Sequence, residues 1–219
     1  MFELLLLIPV VLLVAVSIYL LTRKPKETSE EDKTQLQKLW QVAQTAMTTK
    51  KFAPAERALL AILKIDHKNA AAYNRLGILY AKQENYGDAI ECFEVASSID
   101  PKASSLHNLG LIYMETEQMS KAAKAFEKAL ELEPQAARYI AFAKVKQKTG
   151  KPKEVIKALT KAVELEPNPQ TLTLLAEAYE ANKMKDKAKE TMKRLETVTL
   201  PESPEPKQKA RNRRPPRVQ

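Results

Sequence analysis

Apolar residues recur at helical spacing in short segments along most of the chain. The stretch Ala70–Pro101 contains two such segments, separated by the polar residues Gln83–Asn85. Their apolar faces are made by Tyr73, Leu76, Gly77 and Tyr80 in the first segment, and by Ala89, Phe93 and Ala96 in the second. This spacing predicts two short amphipathic helices joined by a turn. Neither helix can bury its apolar face alone, so the pair requires neighbours of the same kind.

The chain supplies those neighbours at a period of about 33 residues. Matching small, apolar and aromatic residues recur in the first segment of each of four further pairs. These are Leu39, Val42, Ala43 and Ala46; Leu106, Leu109, Gly110 and Tyr113; Tyr139, Phe142 and Ala143; and Leu172, Leu175, Ala176 and Tyr179. Five helix-turn-helix units are therefore predicted between residues 36 and 197, and Ser29 followed by Asp32 predicts a capped helix start before the first.

The recurring small and large residues resemble the tetratricopeptide (TPR) repeat. The resemblance implies an all-α fold, a right-handed superhelix of five repeats, and a binding scaffold rather than an enzyme. Two departures stand where repeats two, three and five have an aromatic residue: Ala46 in repeat one and Lys146 in repeat four. We expect both to weaken packing locally.

The resemblance also implies where a partner binds, because TPR solenoids use the concave face lined by the first helix of each repeat. The positions carried over are Trp40, Gln44, Asn74, Ile78, His107, Asn108, Leu111, Met114, Ile140 and Lys144. Their apolar members would accept an extended peptide or an amphipathic helix. For Trp40, packing beneath the helical extension from Ser29 is an equal alternative. The carboxylate clamp that some TPR domains use on chaperone tails is not supported, since Ala137 and Ala141 stand where its basic pair is needed.

The segment Leu4–Leu21 contains eighteen residues without a charge, enough for a helix of roughly 27 Å. Glu3 precedes it, and the basic residues Arg23, Lys24 and Lys26 follow. These flanks favour an uncleaved transmembrane helix over the alternative, a cleaved signal peptide. The basic flank predicts an external N-terminus and cytoplasmic repeats. We expect an anchor at residues 1–22, a linker at 23–28, the repeats at 29–197 and a tail at 198–219.

The net charge of +9 is densest in the tail, where no apolar period survives and disorder is predicted. Its basic residues are Lys207, Lys209, Arg211, Arg213, Arg214 and Arg217. Anionic lipid and RNA are possible ligands, although a solvated tail without a partner explains the same composition.

No catalytic or metal-binding pattern is present. His67 and His107 are the only histidines, and neither has a nucleophile or ligand at suitable spacing. The single cysteine, Cys92, excludes an internal disulfide, and its position beside Phe93 favours a packed thiol. We expect a protein without a cofactor and without enzymatic activity.

The sequence therefore predicts a single-pass membrane protein that holds a protein partner through its repeats. The anchor, basic flank and repeats are similar to the bacterial inner-membrane TPR regulator of lipopolysaccharide assembly, which indicates a bacterial inner membrane. That family ends in paired C-x-x-C motifs, which this chain lacks. Two alternatives stay open: an assembly factor or receptor for a membrane complex or secretion system, and an adaptor that tethers RNA or ribosomes through the tail.

Overall fold

The computed structural model describes residues 29–199, which form ten α-helices and, within that range, no strand. In chain order the helices are α1 (Glu30–Thr48), α2 (Phe52–Ile65), α3 (Ala70–Lys82), α4 (Tyr86–Ile99), α5 (Ala103–Glu115), α6 (Met119–Leu132), α7 (Ala136–Lys148), α8 (Pro152–Leu165), α9 (Pro169–Ala181) and α10 (Lys185–Thr199). They form five pairs, so the predicted all-α repeat architecture is confirmed. The last helix ends two residues beyond the expected boundary at 197.

The capped helix start at Ser29 is present. The Ser29 hydroxyl accepts a hydrogen bond from the Asp32 amide at 3.0 Å, and the Asp32 carboxylate accepts one from the Ser29 amide at 3.1 Å. This reciprocal capping box satisfies two amides that would otherwise lack partners. Glu30, Glu31 and Asp32 also place negative charge at the positive end of the helix dipole.

Each pair is closed by the same turn. In each pair, the second residue beyond the first helix adopts a left-handed conformation, with φ between 56° and 68°. These residues are Lys50, Glu84, Glu117, Gly150 and Lys183. The next amide then donates to a carbonyl five residues back, as from Asn85 to Tyr80 at 3.0 Å. This is the Schellman arrangement, which ends a helix sharply. Only the fourth turn has glycine, the residue that adopts this conformation without steric cost.

The chain divides into two compact units, residues 1–68 and 69–219. In the described part of the first unit, α1 packs against α2. In the second unit, consecutive helices from α3 to α10 pack against one another, and α5 also contacts α3 and α7 directly. The first helices of successive pairs therefore lie side by side from α3 to α7.

In the second and third pairs, a glycine on the first helix packs against a phenylalanine ring on the second. Phe93 and Phe126 are fully buried, and their rings lie against Gly77 and Gly110. A β-carbon built on either glycine would stand 2.8 Å from the nearest ring carbon. Glycine is needed at these positions because the aromatic ring occupies the space of a side chain.

Lys146 forms ion pairs at a position where the sequence predicts weaker packing. Its side chain is only 8% exposed, and its ammonium lies 2.7 Å from a Glu154 carboxylate oxygen and 3.3 Å from one of Glu127. The ammonium also lies 4.6 Å from the centre of the Phe142 ring. At the equivalent position of the preceding pair, the Tyr113 hydroxyl donates to Glu94. Lys146 therefore forms an ion pair with a glutamate of the preceding pair, where Tyr113 forms a hydrogen bond with the equivalent glutamate.

Candidate functional site

The predicted groove residues lie on the first helices of four pairs. Trp40 and Gln44 belong to α1 in the first unit, and the other eight belong to α3, α5 and α7 in the second. In the second unit, six of these eight residues form two rows at intervals of 33 residues, and the other two, Asn108 and Met114, also lie on α5. The first row contains Asn74, His107 and Ile140, and the second contains Ile78, Leu111 and Lys144. The rows are four residues apart on each helix, so both occupy one face of adjoining helices.

The middle of this face is apolar and only partly covered. Ile78 and Met114 pack against a buried cluster that includes Phe93, while Ile140 packs against a second cluster beneath α7 and α9. Leu111 belongs to α5, the helix between α3 and α7, and its side chain is 36% exposed. These four side chains form an incompletely buried apolar surface across α3, α5 and α7.

His107 is held as a neutral side chain within that surface. Burial, reinforced by the positive charge of Arg138, keeps its pKa below the usual value near 6.5. Its ring meets the Phe126 ring edge-on, with ring centres 5.3 Å apart. The buried Nδ1 of His107 and Oδ1 of Asn74 have no hydrogen-bond partner within residues 29–199. Buried polar atoms without a hydrogen-bond partner lower the stability of a fold.

A cavity lies at the α7 end of the same face. It is about 510 Å³ in volume and lies between α7, the beginning of α8, and α9. Two predicted groove residues, Ile140 and Lys144, line it together with Leu174 and Glu177 of α9. The structure thus brings part of the predicted groove into a concave site.

The α9 wall of this cavity is not among the predicted groove residues. Those residues end with the fourth pair, but Glu177 lies 33 residues after Lys144 and occupies the equivalent place in the fifth. Extending the repeat period by one pair would have identified it. No comparable signal marks Gly150, Lys151 and Pro152, which line the cavity because the turn before α8 closes one end of it.

Other candidate chemistry in the described residues is limited. Burial, followed by the negative charges of Asp88 and Glu91, raises the pKa of the Cys92 thiol to about 11. The thiol is therefore protonated at neutral pH and is a poor nucleophile. Between residues 29 and 199, no group of three or more His, Cys, Asp or Glu side chains could hold a metal ion.

Both predicted membrane and tail contacts fall outside the described residues. The segment 4–21 and the basic residues 207–217 belong to ranges 1–28 and 200–219, for which the structure gives no description. Within residues 29–199, none of the helices has the length and hydrophobicity needed to cross a bilayer.

The fold and the partly covered helix face define a helical-repeat protein. Models of the tetratricopeptide repeat match residues 70–103, 103–135, 136–169 and 170–197, which together span more than half of the chain. The chain belongs to the tetratricopeptide repeat family, as the resemblance indicated. None of the curated protein sequences matches it significantly.

Several solved structures share this fold. A crystal structure of MamA is 23% identical with a TM-score of 0.67, over 75% of this chain and 91% of that one. YrrB, described as a TPR protein with an unusual peptide-binding site, is 20% identical with a TM-score of 0.61, over 72% of this chain and 82% of its own. Pseudomonas aeruginosa pilF is 17% identical with a TM-score of 0.66, over 77% and 78%. At these identities the likeness establishes the fold alone.

Proposed function

We propose that this protein is a membrane-anchored scaffold that binds a peptide or helix of a protein partner on the face formed by α3, α5 and α7. The observation that carries the proposal is the incompletely buried apolar surface of Ile78, Leu111, Met114 and Ile140 on adjoining helices. Apolar surface left uncovered along a helix face is a common basis for partner recognition. The family is one of protein-interaction scaffolds, and the peptide-binding site described for YrrB is built on the same fold.

The anchor would increase the effect of this binding. A partner held beside the bilayer has a raised local concentration toward other components of the same membrane. The uncharged segment 4–21 and the basic residues that follow it support this arrangement, with the N-terminus outside and the repeats in the cytoplasm of a bacterial cell.

The proposed orientation is tested by protease access. Protease added to intact spheroplasts that produce the full chain should leave the repeats uncut, and lysis should make them digestible. Immunoblotting with an antibody against the repeats follows the cleavage. Digestion before lysis, under conditions where a cytoplasmic marker stays intact, would show that the orientation is wrong.

The groove is tested by the substitution Leu111→Glu. A partly exposed leucine at the centre of an interface typically contributes 1–2 kcal/mol, so we expect capture of the partner to fall about tenfold. The measurement is chemical crosslinking in native membranes, followed by mass spectrometry of proteins attached to the chain.

A matched control is Leu132→Glu on α6, which makes the same change at a side chain that is 53% exposed and outside the groove. This control should retain capture, and circular dichroism should show that both variants keep their helices. Equal capture by Leu111→Glu and the unmodified chain would remove the basis of the proposal.

A further inference from the structure

The cavity between α7 and α9 has the form of a side-chain pocket. Its inner wall is apolar and is made by Ala143, Val155, Leu159 and Ala178. Ile140 and Leu174 lie at partly buried positions beside it. The volume of about 510 Å³ exceeds that of any single amino-acid side chain, so the cavity is large enough for a leucine or an aromatic side chain.

The fourth pair differs from the second and third in the residues that pack between its two helices. In the second and third pairs, a phenylalanine ring lies over glycine, whereas the fourth pair has Leu159 and Ala143 at the corresponding positions. Leu159 is smaller than phenylalanine, and both it and Ala143 line the cavity.

The charges around the cavity are unequally distributed. From Ala136 to Lys148, α7 contains four basic residues and no acidic one. Lys144 lines the cavity, and Lys148 lies one turn further along at an exposed position. Neither lysine forms an ion pair within residues 29–199, and Glu177 lies on the opposite α9 wall. The α7 side therefore presents two exposed lysines, Lys144 and Lys148, beside an apolar cavity.

We propose that this cavity receives a bulky apolar side chain of a partner protein segment in which acidic residues flank that side chain. The apolar wall supplies the space for the side chain, and Lys144 with Lys148 supplies the attraction for the acidic flank. The proposal rests on the proposed groove function and names the chemistry of the partner. The chain's own residues 200–219 do not fit, because they contain six basic and two acidic residues and would bring like charge to α7.

The test uses a library of twelve-residue peptides displayed on phage, selected against the full chain in detergent. We expect the selected peptides to share a leucine, phenylalanine or tryptophan with adjacent aspartate or glutamate. Their affinities are then measured by fluorescence polarisation. The substitution Ala178→Phe fills the cavity from α9 and should weaken binding by more than tenfold. The substitution Lys144→Glu should weaken it about threefold to fivefold, because rim charges contribute modestly.

Matched controls make the same changes outside the cavity. Ala53→Phe adds an equal ring at an exposed position of α2, and Lys128→Glu reverses an exposed charge on α6; neither should change the affinity. Thermal unfolding should show that the Ala178→Phe variant is folded, and the alternative Ala181→Trp at the cavity edge is used if it is not.

Several results would overturn the proposal. They are an absence of enriched peptides, enrichment of basic sequences, equal binding to the Ala178→Phe variant, or binding that requires deletion of residues 200–219. If the selected peptides lose affinity with Leu111→Glu but not with Ala178→Phe, the groove function stands and the cavity inference fails.

Discussion

Replacing Gly110 by alanine should lower the free energy of unfolding by about 1–2 kcal/mol, although alanine is the better helix former. The added β-carbon would stand 2.8 Å from the Phe126 ring, which is fully buried. Overpacking of this kind costs about 1–3 kcal/mol or more, whereas the propensity gain is at most about 1 kcal/mol. Urea unfolding followed by circular dichroism measures the difference.

Gly87→Ala provides a matched control on a neighbouring helix. Gly87 lies in the first turn of α4, and a β-carbon built there meets no atom within 4 Å. The control should therefore be neutral or slightly stabilising, because only the change in helix propensity remains. Destabilisation of both variants by equal amounts would show that the Phe126 ring is not the cause.

The chain itself suggests the compensating substitution. The fourth pair has Ala143 and Leu159 in one buried cluster, where the third pair has Gly110 and Phe126. Phe126→Leu alone should cost about 1–2 kcal/mol by leaving a void. When combined with Gly110→Ala, the new methyl group occupies part of that void, so the double variant should be more stable than the sum of the single effects by about 1 kcal/mol. Simple additivity would contradict this packing relation.

The sequence was sufficient to predict the helix pairs because the information is local. The spacing of Leu76, Gly77 and Tyr80 determines one apolar face, and the polar residues Gln83–Asn85 mark the turn. The 33-residue period then extends the same result to other pairs. The capping box at Ser29 was predictable for the same reason, since both of its members lie within one helical turn.

The candidate site was less predictable because it depends on distances between helices. The period identified Ile140 and Lys144, but the cavity beside them is formed by residues of α7, α8 and α9 together. Nor does the sequence show that Oδ1 of Asn74 and Nδ1 of His107 have no hydrogen-bond partner within residues 29–199. These properties arise from the packing of elements that are far apart in the chain.

Lys146 is the clearest case in which sequence and structure differ. A lysine at a position otherwise occupied by tyrosine was expected to weaken packing. Its two carboxylate partners lie nineteen residues before it and eight residues after it, and only the fold brings them together. The structure shows a buried cation that bridges three consecutive helices, α6, α7 and α8.

The loss of stability on breaking this bridge should depend strongly on which side is changed, Lys146 or its two glutamate partners. If Glu127 and Glu154 are both changed to glutamine, the Lys146 ammonium loses its charged partners, so the free energy of unfolding should fall. The fall should be smaller than for breaking a fully buried pair, because the carboxylates are 48% and 44% exposed and partly screened by solvent. Urea unfolding at neutral pH measures the effect.

Lys146→Met should be much milder, with a change within about 1 kcal/mol. It retains the apolar stem beside Phe142, and the two carboxylates left behind can be hydrated because they are half exposed. Lys146→Tyr is the second comparison, since it restores the residue type that bonds to Glu94 in the preceding pair. Equal destabilisation by Lys146→Met and by the double glutamine variant would contradict the proposed asymmetry.

The pH dependence of stability provides an independent test of the same bridge. The hydrogen bond from Lys146 is the main reason that the Glu154 pKa lies below its usual 4.5. A carboxyl group with a lowered folded-state pKa stabilises the fold above its unfolded pKa, and this contribution is lost as the pH falls through the lowered value. The unmodified chain should therefore lose this contribution on acidification below about pH 4.5, whereas Lys146→Met should show a smaller loss over the same range.

At alkaline pH, the stability depends on the titration of Lys146. Burial of Lys146 acts to lower its pKa, but hydrogen bonds to Glu154 and Glu127 outweigh that effect and hold the pKa above the usual 10.5. The stabilising contribution is therefore complete below pH 10.5 and is lost only as the pH rises through the raised value. A bridge that is favourable should thus give a loss of stability at both acidic and alkaline pH, and Lys146→Met should reduce both losses together. If Lys146→Met reduces only one of the two losses of stability, the other loss arises from groups outside the bridge.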